Sequence, residues 1–180
     1  FTINGLLWDP LAGTGKGEVI DHVEGRVDLE AGVVRAIGDP TARFREDRLR
    51  ILRAIRFAAR LNFEVEARTW QALVETAEQI KSVSAERIMS ELERMLTGPA
   101  PGRAWSLLHE ANLTQYILPE VSEPERVEAR LRHCAHLTSE QAWVLVLLDT
   151  NTQITSVVDA WSKRLKTSRA LAQHVRKALT

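Results

Sequence analysis

The spacing of apolar positions along the chain changes once, near residue 45. Before that point, β-branched runs such as Glu18-Val19-Ile20 and Gly32-Val33-Val34-Arg35-Ala36-Ile37 alternate with turn residues, and 7 of the 9 glycines lie between Gly5 and Gly38. That texture predicts short strands joined by turns. Asp9-Pro10 ahead of Gly13, Gly15 and Gly17 predicts a wide hairpin loop between a strand ending near Trp8 and one starting near Glu18. Three short strands are too few to stand alone, so they are expected to belong to a larger sheet.

From Glu46 onward the period is helical. Leu52, Ile55 and Ala59, flanked by Ile51 and Ala58, predict a first helix over 46–61. Trp70, Leu73, Val74, Ala77 and Ile80 predict a second, after the short connection Asn62-Phe63-Glu64. Ser84 is placed to cap a third helix carrying Ile88, Leu92, Met95 and Leu96, which Gly98-Pro99 ends. Ala104, Leu107, Leu108 and Ala111 mark a fourth. Beyond Pro119, helices are predicted near 124–137, 140–149, 154–165 and 168–179, with Ser139 and Ser168 as N-caps. The fold class is mainly α, with a small β segment in front.

Composition narrows the function classes. Lys and Arg number 24 against 24 Asp and Glu, which excludes a wholly basic nucleic-acid binder and an acidic disordered tail as readings of the whole chain. The longest apolar run, Ala142 to Leu148, is far short of the roughly 18 residues a membrane helix needs. A single cysteine, Cys134, makes a disulfide framework impossible and fits a reducing compartment, so a cytoplasmic protein is expected. No secretory leader is visible, and the opening at Phe1 without a Met leads us to expect further residues upstream.

Charge is not spread evenly. Arg43, Arg45, Arg48, Arg50, Arg53, Arg56 and Arg60 fall within eighteen residues, opposed only by Glu46 and Asp47. On a helix, Arg50, Arg53, Arg56 and Arg60 would share about a third of the circumference, away from Leu52, Ile55 and Ala59. By itself this is either a solvated face, with Glu46 and Arg50 as an i,i+4 pair, or a surface for anions.

The string carries more than its charge. Phe1-Thr2-Ile3-Asn4, then Asp28-Leu29-Glu30-Ala31-Gly32 with Arg35, then Gly38-Asp39-Pro40, then Phe44-Arg45-Glu46-Asp47-Arg48-Leu49-Arg50-Ile51-Leu52-Arg53-Ala54-Ile55-Arg56-Phe57 resembles the class II CCA-adding tRNA nucleotidyltransferases. These share their motifs with bacterial poly(A) polymerases. Ser84-Ala85-Glu86-Arg87-Ile88 with Glu91-Leu92 resembles a later Arg-x-x-x-Glu element of the same family, with weaker echoes at Leu118-Pro119-Glu120 and at Ala160-Trp161 with Arg164-Leu165.

The resemblance implies a division into residues 1–45, the edge of a nucleotidyltransferase head with β hairpin and hinge, 46–118, a helical neck that recognises the base, and 119–180, a helical body that binds RNA. It implies CTP and ATP as ligands and the 3′ end of tRNA or another RNA as acceptor. Asp47 and Arg50 would read the incoming base, with Glu46 orienting them. Asn4 falls in the ribose element of the family, or is a turn or capping residue by type, and Asp28, Gly32 and Arg35 match a hinge, with Gly32 alone reading as a turn residue. Arg53, one turn beyond Arg50, is either placed to meet phosphates or a plain surface arginine.

The residue types suit that task. A carboxylate beside a guanidinium presents an acceptor next to a donor. Cytosine and adenine both offer an amino donor next to a ring-nitrogen acceptor, whereas guanine and uracil offer a carbonyl next to a ring N–H. A buried mismatch leaves polar groups without partners and is costly. On a helix, Asp47 and Arg50 would share a face.

Nucleotidyl transfer also needs carboxylates that hold Mg²⁺. The family carries them on an N-terminal element with two Asp residues, for which this chain has no substitute, so Mg²⁺ is expected to bind in a missing head segment. No catalytic or metal residue is assigned within the chain, and the isolated chain is expected to be inactive.

Other signals are weaker. Gly13-Thr14-Gly15-Lys16-Gly17 misses the Walker pattern, because Pro10 stands where its first Gly belongs and Gly17 where its Ser or Thr belongs. His133, Cys134 and His136 lack a second ligand pair, and Cys134 continues the apolar stripe of Val127 and Leu131. Leu147-Leu148-Asp149 lacks the adjoining His of a phosphohydrolase. Lys163, Arg164, Lys166 and Arg169 open a basic end with no acid between 163 and 180, which reads either as RNA phosphate contact or as a solvated helix end.

Overall fold

The structure, a computed structural model, describes residues 1–12, 16–148 and 154–180. A 3-10 turn over Thr2–Asn4 leads into β1 (Leu6–Asp9), which pairs antiparallel with β2 (Glu18–Asp21), Leu6 opposite Asp21 and Asp9 opposite Glu18. The predicted hairpin is therefore present. Residues 13–15 of its glycine-rich loop lie outside the described residues, as does Asp149.

Asp21 then turns the chain. Its carboxylate accepts the amides of Val23, Gly25 and Arg26 and so opens α1 (Gly25–Ala31), a helix that the sequence reading omits. Seven residues are too short a span for a helical period to stand out from the surrounding turns. Gly32 ends α1 at φ 68°, a conformation that suits glycine.

The strand after Gly32 is shorter than predicted and has a different partner. β3 (Val33–Val34) does not join the hairpin. It lies beyond α2 (Pro40–Glu46) and α3 (Arg50–Leu61) in its pairing, running parallel to β4 (Glu64–Val65) with Val33 opposite Glu64. The segment 62–64, predicted as a plain connection, thus contributes a strand residue. The amides of Glu64 and Glu66 donate to the carbonyls of Gly32 and Val34 at 2.8 and 3.0 Å.

The single helix predicted over 46–61 is two. Asp39 accepts the Ala42 amide and Pro40 occupies the first turn, so α2 starts early and ends at Glu46. Asp47 is extended (φ −143°, ψ 103°), and its Oδ1 accepts the Leu49 amide before α3 begins. A short acidic side chain that binds a nearby amide competes with continuing the helix.

Most of the remaining helices follow the predicted periods, but the one predicted over 124–137 ends at Leu131 and the short one over Thr114–Ile117 was not predicted. These helices are α4 (Ala67–Thr76), continued by a 3-10 turn over Ala77–Ser82, α5 (Ala85–Leu96), α6 (Pro101–Glu110), a short α7 (Thr114–Ile117), α8 (Pro124–Leu131), α9 (Ser139–Leu147), α10 (Ile154–Leu165) and α11 (Arg169–Leu179). Ser84 precedes α5 but its hydroxyl makes no capping bond. Thr138, not Ser139, caps α9, forming a reciprocal box with Gln141. Ser168 caps α11 as predicted. α8 stops at Leu131, so Cys134 leaves the predicted stripe. It is half-buried, with its thiol donating to the Arg130 carbonyl.

One continuous apolar core runs from Phe44 to Val175 and includes Leu52, Ile55, Leu73, Leu92, Trp105, Trp143 and Trp161. Burial on this scale, at roughly 25 cal/mol per Å² of apolar surface, is the main force holding the helices together. α3 packs on α5 and α6, and α10 packs on α5, so the core crosses the boundary at residue 118 without a break. The hairpin stays outside it, with Leu7, Trp8 and Leu11 exposed. Among the described residues, no helix is long and apolar enough to cross a membrane.

Candidate functional site

The arginine-rich segment separates into side chains with different jobs. Arg43, from α2, and Arg50 and Arg53, from α3, line one cleft of about 150 Å³, together with Asn4 and an apolar wall of Phe1, Ala36, Ile37 and Phe44. Cationic side chains, an exposed amide and a flat apolar wall together suit an anionic ligand with a planar part. Two α-helices and the 3-10 turn at Thr2–Asn4 converge here only because the chain breaks at Asp47.

Glu46 organises the cationic side. Its Oε2 accepts from Arg43 Nη1 at 2.6 Å and from Arg50 Nη1 at 2.9 Å, and Arg50 Nη1 also reaches the Arg43 carbonyl at 3.4 Å. Glu46 was expected to orient Asp47 and Arg50; its carboxylate contacts Arg50 and Arg43. Arg53 lines the cleft and makes no ion pair among the described residues.

Asp47 is placed differently from the sequence reading. It stands at the junction between α2 and α3 rather than on a shared helical face with Arg50, and it does not line the cleft. Its two carboxylate oxygens each accept from Arg87 Nη2 at 3.1 Å. Arg87 is therefore a site neighbour to which the sequence reading gave no role. The signal for it was the Ser84-to-Glu91 string, whose spacing places Arg87 and Glu91 one turn apart on α5.

Arg56 is a second departure. Grouped by sequence with the solvated face of Arg50, Arg53 and Arg60, it is instead buried and donates from Nε to Glu91 Oε2 at 2.6 Å. Both side chains are at most one-tenth exposed. Arg94 adds a longer contact to Glu91 at 3.7 Å. α5 therefore meets the arginine-rich segment twice, through Arg87–Asp47 and through Glu91–Arg56.

Of the three residues expected to form a hinge, Asp28 and Arg35 are bonded to each other. Arg35 donates from Nε and Nη2 to Asp28 at 3.0–3.2 Å, and Thr2 Oγ1 donates to the same carboxylate at 2.7 Å. Arg35 Nη1 lies 3.6 Å from Glu66, which caps α4 by accepting from Thr69. Burial opposes ionisation of Asp28, but the hydrogen bonds from Arg35 and Thr2 outweigh it and hold the carboxyl below its ordinary range. The same contact with Asp28 raises Arg35, and Glu66 is lowered because the Thr69 bonds overcome its burial. Gly32 supplies the positive-φ turn between Asp28 and Arg35.

The basic end is partly neutralised by acids from elsewhere in the chain. Arg164 binds Glu120 through both terminal nitrogens, and Lys166 Nζ lies 2.7 Å from Glu86. The Lys166 hydrogen bond holds Glu86 below its usual range. Lys163 and Arg169 are exposed and have no ion pair among the described residues.

Among the described residues, no group of three His, Cys, Asp or Glu side chains could hold a metal ion. His133 and His136 are exposed and assemble nothing.

The family described as "Probable RNA and SrmB- binding site of polymerase A" matches residues 62–123. The CCA-adding enzyme of Lactiplantibacillus plantarum is 36% identical over 182 residues, covering 99% of this chain and 43% of that protein. The CCA-adding enzyme of Levilactobacillus brevis is 37% identical over 189 residues, covering 97% and 46%. Among solved structures, the Bacillus stearothermophilus CCA-adding enzyme in complex with CTP aligns with a TM-score of 0.80 at 29% identity, over 99% of this chain and 44% of that one. The chain spans less than half the length of each of these proteins.

Proposed function

The chain belongs to the CCA-adding enzyme family, and on that premise we propose that it is the base-selecting and RNA-binding part of a template-independent nucleotidyltransferase that adds C and A to a tRNA 3′ end. In this reading residues 1–45 are the edge of the head, 46–118 the neck and 119–180 the body. CTP and ATP are the ligands of the cleft. The relative from Bacillus stearothermophilus was solved with CTP, which supports the assignment.

The observation that carries this reading is the convergence of Arg43, Arg50, Arg53 and Asn4 on one cleft. Arg50 supplies donors already oriented by Glu46. Asp47 supplies the acceptor that an exocyclic amino group needs, and a carbonyl in the same place meets repulsion. Arg53 and Arg43 face the anionic part of the nucleotide. Exposed Lys163 and Arg169 contact RNA phosphates. The catalytic carboxylates and their Mg²⁺ lie outside these 180 residues, so the segment alone adds no nucleotide.

In the full-length protein, Asp47→Ala and Arg50→Ala should each lower the preference for CTP and ATP over UTP and GTP by about tenfold or more. Unchanged selectivity in both variants would move base reading elsewhere. Measurable CTP incorporation by the isolated 180 residues would refute the division of labour. RNA binding that does not weaken with salt would remove Lys163 and Arg169 from the interface.

The match of residues 62–123 to a polymerase A segment favours one further reading, an enzyme that adds only A. Incorporation of CTP by the full-length protein separates the two.

A further inference from the structure

In this arrangement Asp47 is turned toward Arg87 rather than the cleft: it is absent from the cleft wall, and both its oxygens accept from Arg87 Nη2. The pair is exposed, with 52% of the Arg87 side chain and 29% of the Asp47 side chain accessible, so breaking it is inexpensive. The backbone beneath Arg87 is held in place, because one turn further along α5 Glu91 is bound to buried Arg56. Only the Arg87 side chain needs to swing. Asp47 keeps a local anchor through Leu49, whose amide donates to Oδ1 at 3.2 Å.

We propose that Arg87 is an internal competitor for the base-reading position of Asp47, so that a nucleotide is admitted only if its base brings an amino donor able to replace the Arg87 guanidinium. This rests on the reading of Asp47 as a base contact and adds a specificity-determining residue to it. A base with an exocyclic amino group exchanges one donor for another at the carboxylate. A base with a carbonyl there brings no donor, and Arg87 keeps its place. The Asp47 carboxylate is satisfied in both states, so rejection of the wrong base leaves no unpaired charge behind.

Two physical effects of removing Arg87 point in opposite directions, which makes the idea testable. Deleting a positive charge near a polyphosphate ligand should weaken every triphosphate alike through the field. Deleting a competitor should tighten only those ligands that compete with it, because a larger fraction of the protein is already open.

The experiment is equilibrium binding of CTP, ATP, UTP and GTP to the full-length protein and to its Arg87→Ala, Arg87→Lys, Asp47→Ala and Asp47→Ala/Arg87→Ala variants. Arg87→Ala should tighten CTP and ATP by about threefold, the worth of an exposed ion pair, without tightening UTP or GTP. Arg87→Lys, which keeps a cation at the position, should stay near the starting affinities. The gain should shrink as salt screens the pair, and the double variant should match Asp47→Ala. Equal weakening of all four nucleotides, selective weakening of CTP and ATP, or no change would each overturn the proposal. Base preference surviving in Asp47→Ala would instead sink the underlying base-reading assignment. Loss of preference there with no gain in Arg87→Ala would sink only the competitor.

Discussion

α5 grips the arginine-rich segment in two places one helical turn apart, and the two contacts differ in one respect that matters. Glu91 and Arg56 meet in the core with side chains 6% and 10% exposed, whereas Arg87 and Asp47 meet at the rim with 52% and 29% exposed. The chemistry is the same, a guanidinium on a carboxylate. Inside, neither partner can leave without stranding a charge away from water, so the contact works as a bolt. Outside, water replaces either partner, so the contact works as a latch. The Asp28–Arg35 pair falls between them, with Asp28 6% and Arg35 45% exposed. Exposure of the guanidinium, 10% for Arg56, 45% for Arg35 and 52% for Arg87, ranks the three.

That ranking can be broken in order of size. Glu91→Ala leaves Arg56 buried without a partner and should cost about 3 kcal/mol or more, lowering the melting temperature by roughly 10 °C. A combined Arg56→Met and Glu91→Leu exchange should recover most of the loss, since apolar residues of similar volume often replace such a pair without penalty. A cost below about 1 kcal/mol for Glu91→Ala, read from a denaturant melt, would remove the distinction between bolt and latch.

Asp28→Asn comes next. It keeps the shape but loses the charge that Arg35 and Thr2 hold, and should cost about 1–2 kcal/mol. The same carboxyl has a pH signature. Its pKa is lower in the folded chain than its ordinary value of 3.8, so its contribution is complete above that value and lost as pH falls through the folded one. Stability measured from neutral pH down to about pH 3 should therefore fall less steeply in Asp28→Asn than in the unsubstituted protein. Parallel acid limbs would mean that the Asp28 carboxyl is not held as described.

Arg87→Ala should be the smallest of the three in stability, within about 0.5 kcal/mol, even though it is the one expected to alter nucleotide choice. A large thermal shift in this variant would place Arg87 among the structural ties and sharpen the comparison against the latch.

Much of the helical part was legible because apolar residues at helical spacing have one way to leave water. Leu52, Ile55 and Leu73 are fully buried, and Ser168 caps α11 as its position before an apolar run suggests. Regions with shorter periods were harder to read. α1 and α2 span seven residues each, less than the window over which a helical repeat is recognisable, although Asp39-Pro40 and Gly32 were local marks of a start and a stop. The Glu-Asp-x-x-Arg block shows the limit most clearly. The residues were identified with their chemistry, but their common helical face was not there, because Asp47 binds the Leu49 amide and breaks the helix.

Periodicity, caps and residue types, all of them properties of neighbours in the chain, determined that this protein is a helical body behind a short hairpin and that Glu46, Asp47 and Arg50 hold complementary donors and acceptors. Only the tertiary structure decided which arginines of one crowded stretch face a cleft and which enters the core. Arg53 and Arg56 are three residues apart and chemically identical, and nothing local separates them. The difference is that Glu91, thirty-five residues after Arg56, offers a buried carboxylate to one and not to the other, and an ionised side chain leaves water only where a distant partner compensates it.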